Sequence, residues 1–331
     1  MRVVAAPDKF RGTARAPEVA AAIGEAAWEA GWECTEVPLS DGGEGLLDAF
    51  GGANRHNEVH GPSRRPVRAP WRYSHHLAVI EMAAASGLDV AGGAEGNDPV
   101  QADTTGTGEL LLAAVEAGAR RIVVGLGGSA STDGGLGAVR VVGGPSRLGA
   151  VELLAACDVA IPFADAATRF APQKGATPAQ VRLLERRLAR TAQLYRDEFG
   201  VDVTSLAHAG AAGGLGGGLA VLGAKLVPGF EVVADEVDLD AALDGADLVV
   251  TGEGFVDAAS YEGKVVGGIV SWAAARDVDV LVVAGDVFDG MEERAPTVSL
   301  VATFGAARAH AEPLACVREV VADRLRKATP R

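Results

Sequence analysis

Several short segments of this chain set glycine beside a carboxylate, each just after an apolar run. They are Pro7-Asp8-Lys9-Phe10-Arg11-Gly12-Thr13, Ser40-Asp41-Gly42-Gly43-Glu44-Gly45, Gly127-Gly128-Ser129-Ala130-Ser131-Thr132-Asp133-Gly134-Gly135, Gly252-Glu253-Gly254-Phe255-Val256-Asp257 and Gly285-Asp286. Glycine amides can surround phosphate oxygens, and neighbouring carboxylates can hold Mg²⁺ directly or through water. Phosphoryl transfer asks for little more than positioning, charge neutralisation and a base for the attacking hydroxyl. One such segment alone reads as a βα turn, with glycine at positive φ and an acid capping the next helix. Five of them, all carrying acids, point to a site.

Familiar motifs do not account for them. Gly263-Lys264-Val265 lacks the spacing and the hydroxyl residue of a Walker A loop. Gly125-Leu126-Gly127-Gly128-Ser129-Ala130 meets the loose dinucleotide pattern, a weak match in a chain with 44 glycines. Ser129 sits in no GxSxG elbow, and there is no HExxH.

The elements that must position these residues alternate between β-rich apolar runs and helical patterns, as in an α/β protein with a parallel sheet. Strands are expected at 3–6, 35–39, 78–81, 121–125, 248–251, 280–284 and 298–303, and helices at 17–30, 108–117, 178–199 and 263–275. In the longest helix Thr177 can cap, Pro178 suits the first turn, and Val181, Leu184, Leu188, Tyr195 and Phe199 share a face. Ligands in such sheets bind beyond the carboxyl ends of the strands, where the glycine–acid segments lie. The Gly-, Pro-, His- and Arg-rich stretch 51–72 reads as a connection leaving one domain, and the chain re-enters a clean strand at Leu248. The expected organisation is one domain from 1–52 and 235–331, interrupted by an inserted α/β domain at 53–234 with glycine-rich loops.

Composition bounds the function. With 30 Lys+Arg against 44 Asp+Glu the net charge is −14, and 48% of residues are hydrophobic, so the chain folds as a globular protein. A nucleic-acid partner is not expected, because binding phosphate backbones needs a basic face. Cys34, Cys157 and Cys316 are scattered, without CxxC, and read as small apolar residues of a reducing compartment. The apolar run 3–7 is too short for a signal-peptide core, and the uncharged stretch 203–224 is too rich in glycine for a membrane span. A cytoplasmic protein without a membrane partner is expected.

The ordered motifs together resemble one family. Pro7-Asp8-Lys9-Phe10-Arg11-Gly12, Asp41-Gly42-Gly43-Glu44-Gly45, Ile80 to Leu88, Gly106-Thr107-Gly108-Glu109-Leu110 and Gly127-Gly128-Ser129-Ala130 with Asp133-Gly134-Gly135 are similar to segments of the bacterial glycerate kinases. So are Cys157-Asp158-Val159, Pro172-Gln173-Lys174-Gly175-Ala176, Gly210 to Gly214, Thr251-Gly252-Glu253-Gly254, Asp257 and Gly263-Lys264. The resemblance implies a flavodoxin-like parallel-sheet domain interrupted by a second α/β domain. It also implies phosphorylation of D-glycerate by ATP with Mg²⁺ in an interdomain cleft.

On that reading Asp8, Asp41, Asp133, Glu253 and Asp257 are the candidate catalytic carboxylates, with the base among them left open. Asp41, Asp133 and Glu253 are the candidate metal ligands. Lys9, Arg11, Lys174 and Lys264 are candidate cations for phosphates and the substrate carboxylate, and Gly127, Gly128, Ser129, Gly213 and Gly214 candidate phosphate cradles. The chain departs from the family pattern where Phe255 replaces an expected Arg and Ile161 an expected Asn, and it is shortened between Gly137 and Val151. Losing a guanidinium removes a bidentate donor for a carboxylate. A kinase for another small hydroxy acid, or a non-catalytic homologue that binds a small acid, is therefore the alternative.

Overall fold

The computed structural model describes residues 1–157, 159–288 and 290–327, so Asp158 of the Cys157-Asp158-Val159 segment lies outside the described residues. Eleven strands occur along them: β1 (Arg2–Ala5), β2 (Glu33–Glu36), β3 (Arg55–His60), β4 (Pro66–Ser74), β5 (Leu77–Glu81), β6 (Arg121–Leu126), β7 (Glu152–Cys157), β8 (Lys225–Pro228), β9 (Leu248–Val256), β10 (Asp279–Val287) and β11 (Thr297–Ser299). The fold is α/β, in two compact units. One joins Met1–Asp41 to Phe230–Arg331 and the other spans Gly42–Gly229; crossings had been expected at 52/53 and 234/235.

The first unit holds a fully parallel sheet in the order β11-β10-β9-β1-β2. Counted within the unit this is 2-1-3-4-5, the flavodoxin-like order. Both faces are covered, which is why its strands are apolar at successive positions rather than alternate ones. On β10, Leu281 and Val283 join the core under helices Ala16–Glu29 and Pro313–Lys327, while Val282 and Ala284 join the core containing Val266.

Two expectations are corrected here. β9 and β10 run on past 251 and 284, to Val256 and Val287, so Glu253 and Phe255 stand on a strand rather than in a loop. Glycine makes the extension possible: a Cβ on Gly252 would stand 1.8 Å from Val283 O, and one on Gly254 2.9 Å from Arg11 N. The run 298–303 is not a strand throughout. Ser299 caps a turn of helix at Leu300–Phe304 by accepting from Ala302 N at 3.0 Å, and that capping outweighs the β-preference of its valine and threonine.

The second unit holds a six-stranded sheet in the order β3-β4-β5-β6-β7-β8, antiparallel from β3 to β5 and parallel from β5 to β8. Segment 51–72, read as a connection, forms most of the β3–β4 hairpin. Its charged and histidine residues mask an alternation in which Val59, Ala69 and Trp71 point into the core. β4 turns into β5 through His75 and His76, both at positive φ, as a two-residue hairpin turn requires. Helix Pro178–Phe199 has the expected bounds and starts with a capping box in which Thr177 and Gln180 satisfy each other's backbone. Around Gly143-Gly144-Pro145 a helix stops on Gly143 at φ +81° and an exposed turn follows.

Candidate active site

In the first unit, Asp8 leaves the end of β1, Asp41 follows β2, and Glu253 stands on β9, the strand beside β1. Asp8 N donates to Gly252 O at 2.9 Å, which ties the acid to the glycine–glutamate segment. Lys9 Nζ lies 3.7 Å from Asp8 Oδ1 and 3.9 Å from Asp41 Oδ1, and Lys264 Nζ 3.7 Å from Asp41 Oδ2. These are ion pairs at a distance, longer than direct hydrogen bonds.

Asp8 is only 4% exposed. Burial, with further contributions from the charges of Asp41 and Glu253, pushes its carboxyl up to about 7, against the pull of Lys9. Burial also raises Glu253, with Asp41 and Asp257 adding to it and Ser260 and Lys264 opposing. Its Oε1 is buried and accepts no hydrogen bond among the described residues. Carboxylates from separate strand ends therefore share one electrostatic neighbourhood with two lysines.

Three more predicted residues sit on this unit. Asp257 caps the turn Ala258–Tyr261, Oδ1 accepting from Ser260 N at 3.1 Å and from Ser260 Oγ at 3.3 Å. Arg11 is exposed and makes no ion pair among the described residues. Asp286 Oδ1 accepts from Val287 N and from Ser299 Oγ, and is occupied locally.

In the second unit, the segment after β6 carries Gly127, Gly128 and Ser129. Gly128 is exposed at φ +63°, and the amides of all three donate to nothing among the described residues. Behind them lies Lys174, 2% exposed, whose Nζ donates to Ser129 Oγ at 2.7 Å and to Ser131 O at 2.6 Å. Burial lowers its ammonium to about 7, opposed by the charge of Asp133. Lys174, offered above as a cation for phosphates or the substrate carboxylate, is thus buried against its own loop.

Asp133 is built differently from the acids of the first unit. Oδ2 accepts from Thr104 N, Thr104 Oγ1 and Gly137 N at 3.1, 2.8 and 3.0 Å, and Oδ1 from Gly135 N at 3.1 Å. Burial raises its carboxyl while these bonds pull it down. Its acceptor sites knit the loop together and leave little for a metal ion. Gly213 and Gly214 are buried, not an open cradle. Cβ atoms there would meet Ser131 O at 2.1 Å and Gly134 Cα at 2.8 Å, so the pair backs the 131–134 loop. The sequence reading missed Thr104, Ser260 and Glu81 as partners. Glu81, which takes the amides of Gly45 and Leu47, could have been noticed as the lone acid closing an apolar strand.

Comparison with known proteins supplies the rest. The profile described as the glycerate kinase family matches residues 3–145 and 142–329. The chain belongs to the glycerate kinase family. The two matched pieces meet at Gly143-Gly144-Pro145, where the chain is short. A protein of Escherichia coli K12 named glycerate 2-kinase is 37% identical, over 87% of this chain and 86% of its own length. A glycerate kinase of Bacillus subtilis 168 is 36% identical, over 87% and 85%. A solved chain described as a glycerate kinase 2 of Salmonella typhimurium LT2 covers 98% of each chain with a TM-score of 0.83 and 34% identity. Members of this glycerate kinase family are phosphotransferases acting on an alcohol group, and the two-unit α/β fold agrees with the solved relative. No helix among the described residues is long and apolar enough to cross a membrane.

Proposed function

We propose that this glycerate kinase family member transfers the γ-phosphoryl group of ATP to a hydroxyl of D-glycerate. The observation that carries the reading is Asp8, a buried carboxyl near 7 whose closest cation is Lys9. A base poised near neutrality takes a proton from a hydroxyl as that oxygen attacks phosphorus. Lys9, 3.7 Å from Asp8, and Lys264, 3.7 Å from Asp41, are the cations this reading assigns to the substrate's carboxylate and to phosphate oxygens. The amides of Gly127, Gly128 and Ser129, which donate to nothing among the described residues, are the donors this reading assigns to phosphate oxygens, and Lys174 fixes the Ser129 hydroxyl.

A divalent cation fits the first unit through Asp41 and Glu253, since Glu253 Oε1 is buried without a partner. Mg²⁺ keeps several waters and binds through one or two carboxylates plus phosphates, so two carboxylates are enough for it. An ion held there would supply charge neutralisation for the phosphates.

The test is ADP release, coupled to a dehydrogenase, over a panel of small hydroxy acids, with NMR of the product to assign the hydroxyl. Release dependent on D-glycerate supports the reading. Release with no acid of the panel sinks it in favour of a binding-only homologue. A second reading, a kinase for a different hydroxy acid, draws on Phe255, 51% exposed on β9 where a guanidinium was expected. Release with another acid alone would establish that one.

A further inference from the structure

A cavity of about 320 Å³ opens in the second unit beside helix Pro178–Phe199, with neither Ser129 nor Lys174 in its lining. It lies in the volume range of small-molecule sites, which combine apolar walls with a few convergent polar groups. Three leucines form much of its wall, and Arg140, Arg187 and Arg190 stand around it. In a chain of net charge −14 this concentration of cations is a local inversion. Arg187 is partly committed, donating to Val100 O at 2.6 Å. Arg140 and Arg190 make no hydrogen bond or ion pair among the described residues.

A second, independent feature points the same way. Thr132, 1% exposed, also lines the cavity, and its Oγ1 is buried with no hydrogen-bond partner among the described residues. A buried hydroxyl left unbonded costs free energy, and a ligand oxygen would relieve it. The one acid of the lining, Asp133, has its oxygens taken by Thr104, Gly135 and Gly137, so it competes little for the arginines.

We propose that this cavity binds a small organic anion: a phosphate or carboxylate held by the guanidinium groups of Arg140 and Arg190, with a compact apolar body against the leucines. Planar guanidinium forks match both head groups in geometry and charge. None of Asp8, Lys9, Asp41, Glu253 or Lys174 takes part in the site, and Asp133, which lines it, spends its oxygens on Thr104, Gly135 and Gly137.

Isothermal titration of the full chain with phenyl phosphate, benzoate and inorganic phosphate tests this. Saturable binding of phenyl phosphate or benzoate is expected, tighter than that of inorganic phosphate and weakening with salt; whichever of the two binds more tightly identifies the head group. R140A and R190A, both at exposed positions, should each weaken binding about tenfold while leaving the melting temperature unchanged. T132V should weaken binding yet raise the melting temperature of the free protein, since it removes the unbonded hydroxyl. Equal affinity in the wild type and the R140A/R190A double variant would overturn the proposal, as would no saturable binding in the millimolar range. Binding by all three anions with equal affinity also refutes it, because the apolar wall would then contribute nothing.

Discussion

Asp8 in the first unit and Lys174 in the second are both buried, and burial drives them to the same place from opposite sides. The acid rises from 3.8 to about 7 and the ammonium falls from 10.5 to about 7. Their neighbours differ. Asp8 faces other acids, accepts from Lys9 N at 2.6 Å and has the Lys9 ammonium at 3.7 Å. Lys174 is gripped at 2.6 and 2.7 Å by neutral oxygens of its own fold. In the first unit the buried charge sits among other charges, whereas in the second it is spent on holding a loop.

The largest expected effect follows from removing the buried acid of the first unit. Asp8→Asn should lower kcat/KM for D-glycerate by about 10³-fold, the middle of the range for a general base. In the wild type kcat/KM should rise with pH through about 7, as the acid loses its proton. Because the folded state holds that proton more tightly than the unfolded chain, the stabilisation associated with it is full below about 4 and is lost as pH rises to about 7. Asp8→Asn should therefore be more heat-stable than the wild type at pH 8, by a few kcal/mol at most. An Asn variant that is both active and less stable would show that Asp8 is scaffold.

Asp133 tests the other side of the comparison. Asparagine offers one acceptor oxygen where the carboxylate accepts four hydrogen bonds, three of them from backbone amides. Orphaned amides cost roughly 1–3 kcal/mol each, so Asp133→Asn should destabilise the second unit by about 3 kcal/mol in urea unfolding. Unchanged stability would mean that the carboxylate's bonds are incidental.

Lys174 should show the opposite pH signature to Asp8. Between pH 7 and 10.5 the unfolded chain carries a proton that the folded one has released, so stability rises with pH across that window. The slope is bounded at about 1.4 kcal/mol per pH unit. Lys174→Met should flatten the rise between pH 7 and 9 in chemical unfolding followed at several pH values. A slope that survives the substitution assigns it elsewhere.

How far these roles could be read from sequence depended on whether the information was local. Helix Pro178–Phe199 was legible to the residue because its cap, proline and apolar face all lie within it. The β3–β4 hairpin was not, because its exposed faces carry Arg, His and Glu and only Val59, Ala69 and Trp71 report its core face. The same division holds for the site. The sequence brought forward Asp8, Asp41 and Glu253 as acids at strand ends, and they do meet electrostatically. It could not tell that Asp133 spends its oxygens on Thr104 and on its own loop, or that Gly213 and Gly214 are packing surfaces, because hydrogen-bond partners 29 residues apart leave no local pattern.

Phe255 sharpens the comparison from the ligand side. It is a large apolar side chain half exposed on β9, one position beyond Gly254 and two beyond Glu253, so it shares the Glu253 face of the strand. Across the sheet it pairs with Asp286 of β10, whose carboxylate is already held by Val287 N and Ser299 Oγ. An arginine at 255 would therefore place a guanidinium beside Glu253 with Asp286 only partly able to capture it. If D-glycerate's carboxylate reaches this face, one charged hydrogen bond of roughly 1.5 kcal/mol is gained, and Phe255→Arg should raise kcat/KM for D-glycerate about tenfold. The same change should do nothing, or harm, for a hydroxy acid carrying an apolar substituent that Phe255 covers. The double variant with Asp286→Asn separates capture from absence: a gain that appears only in the double variant means Asp286 had held the arginine. No gain in either, with the wild type preferring the apolar acid, would establish that the face around Glu253 is built for a substrate other than glycerate.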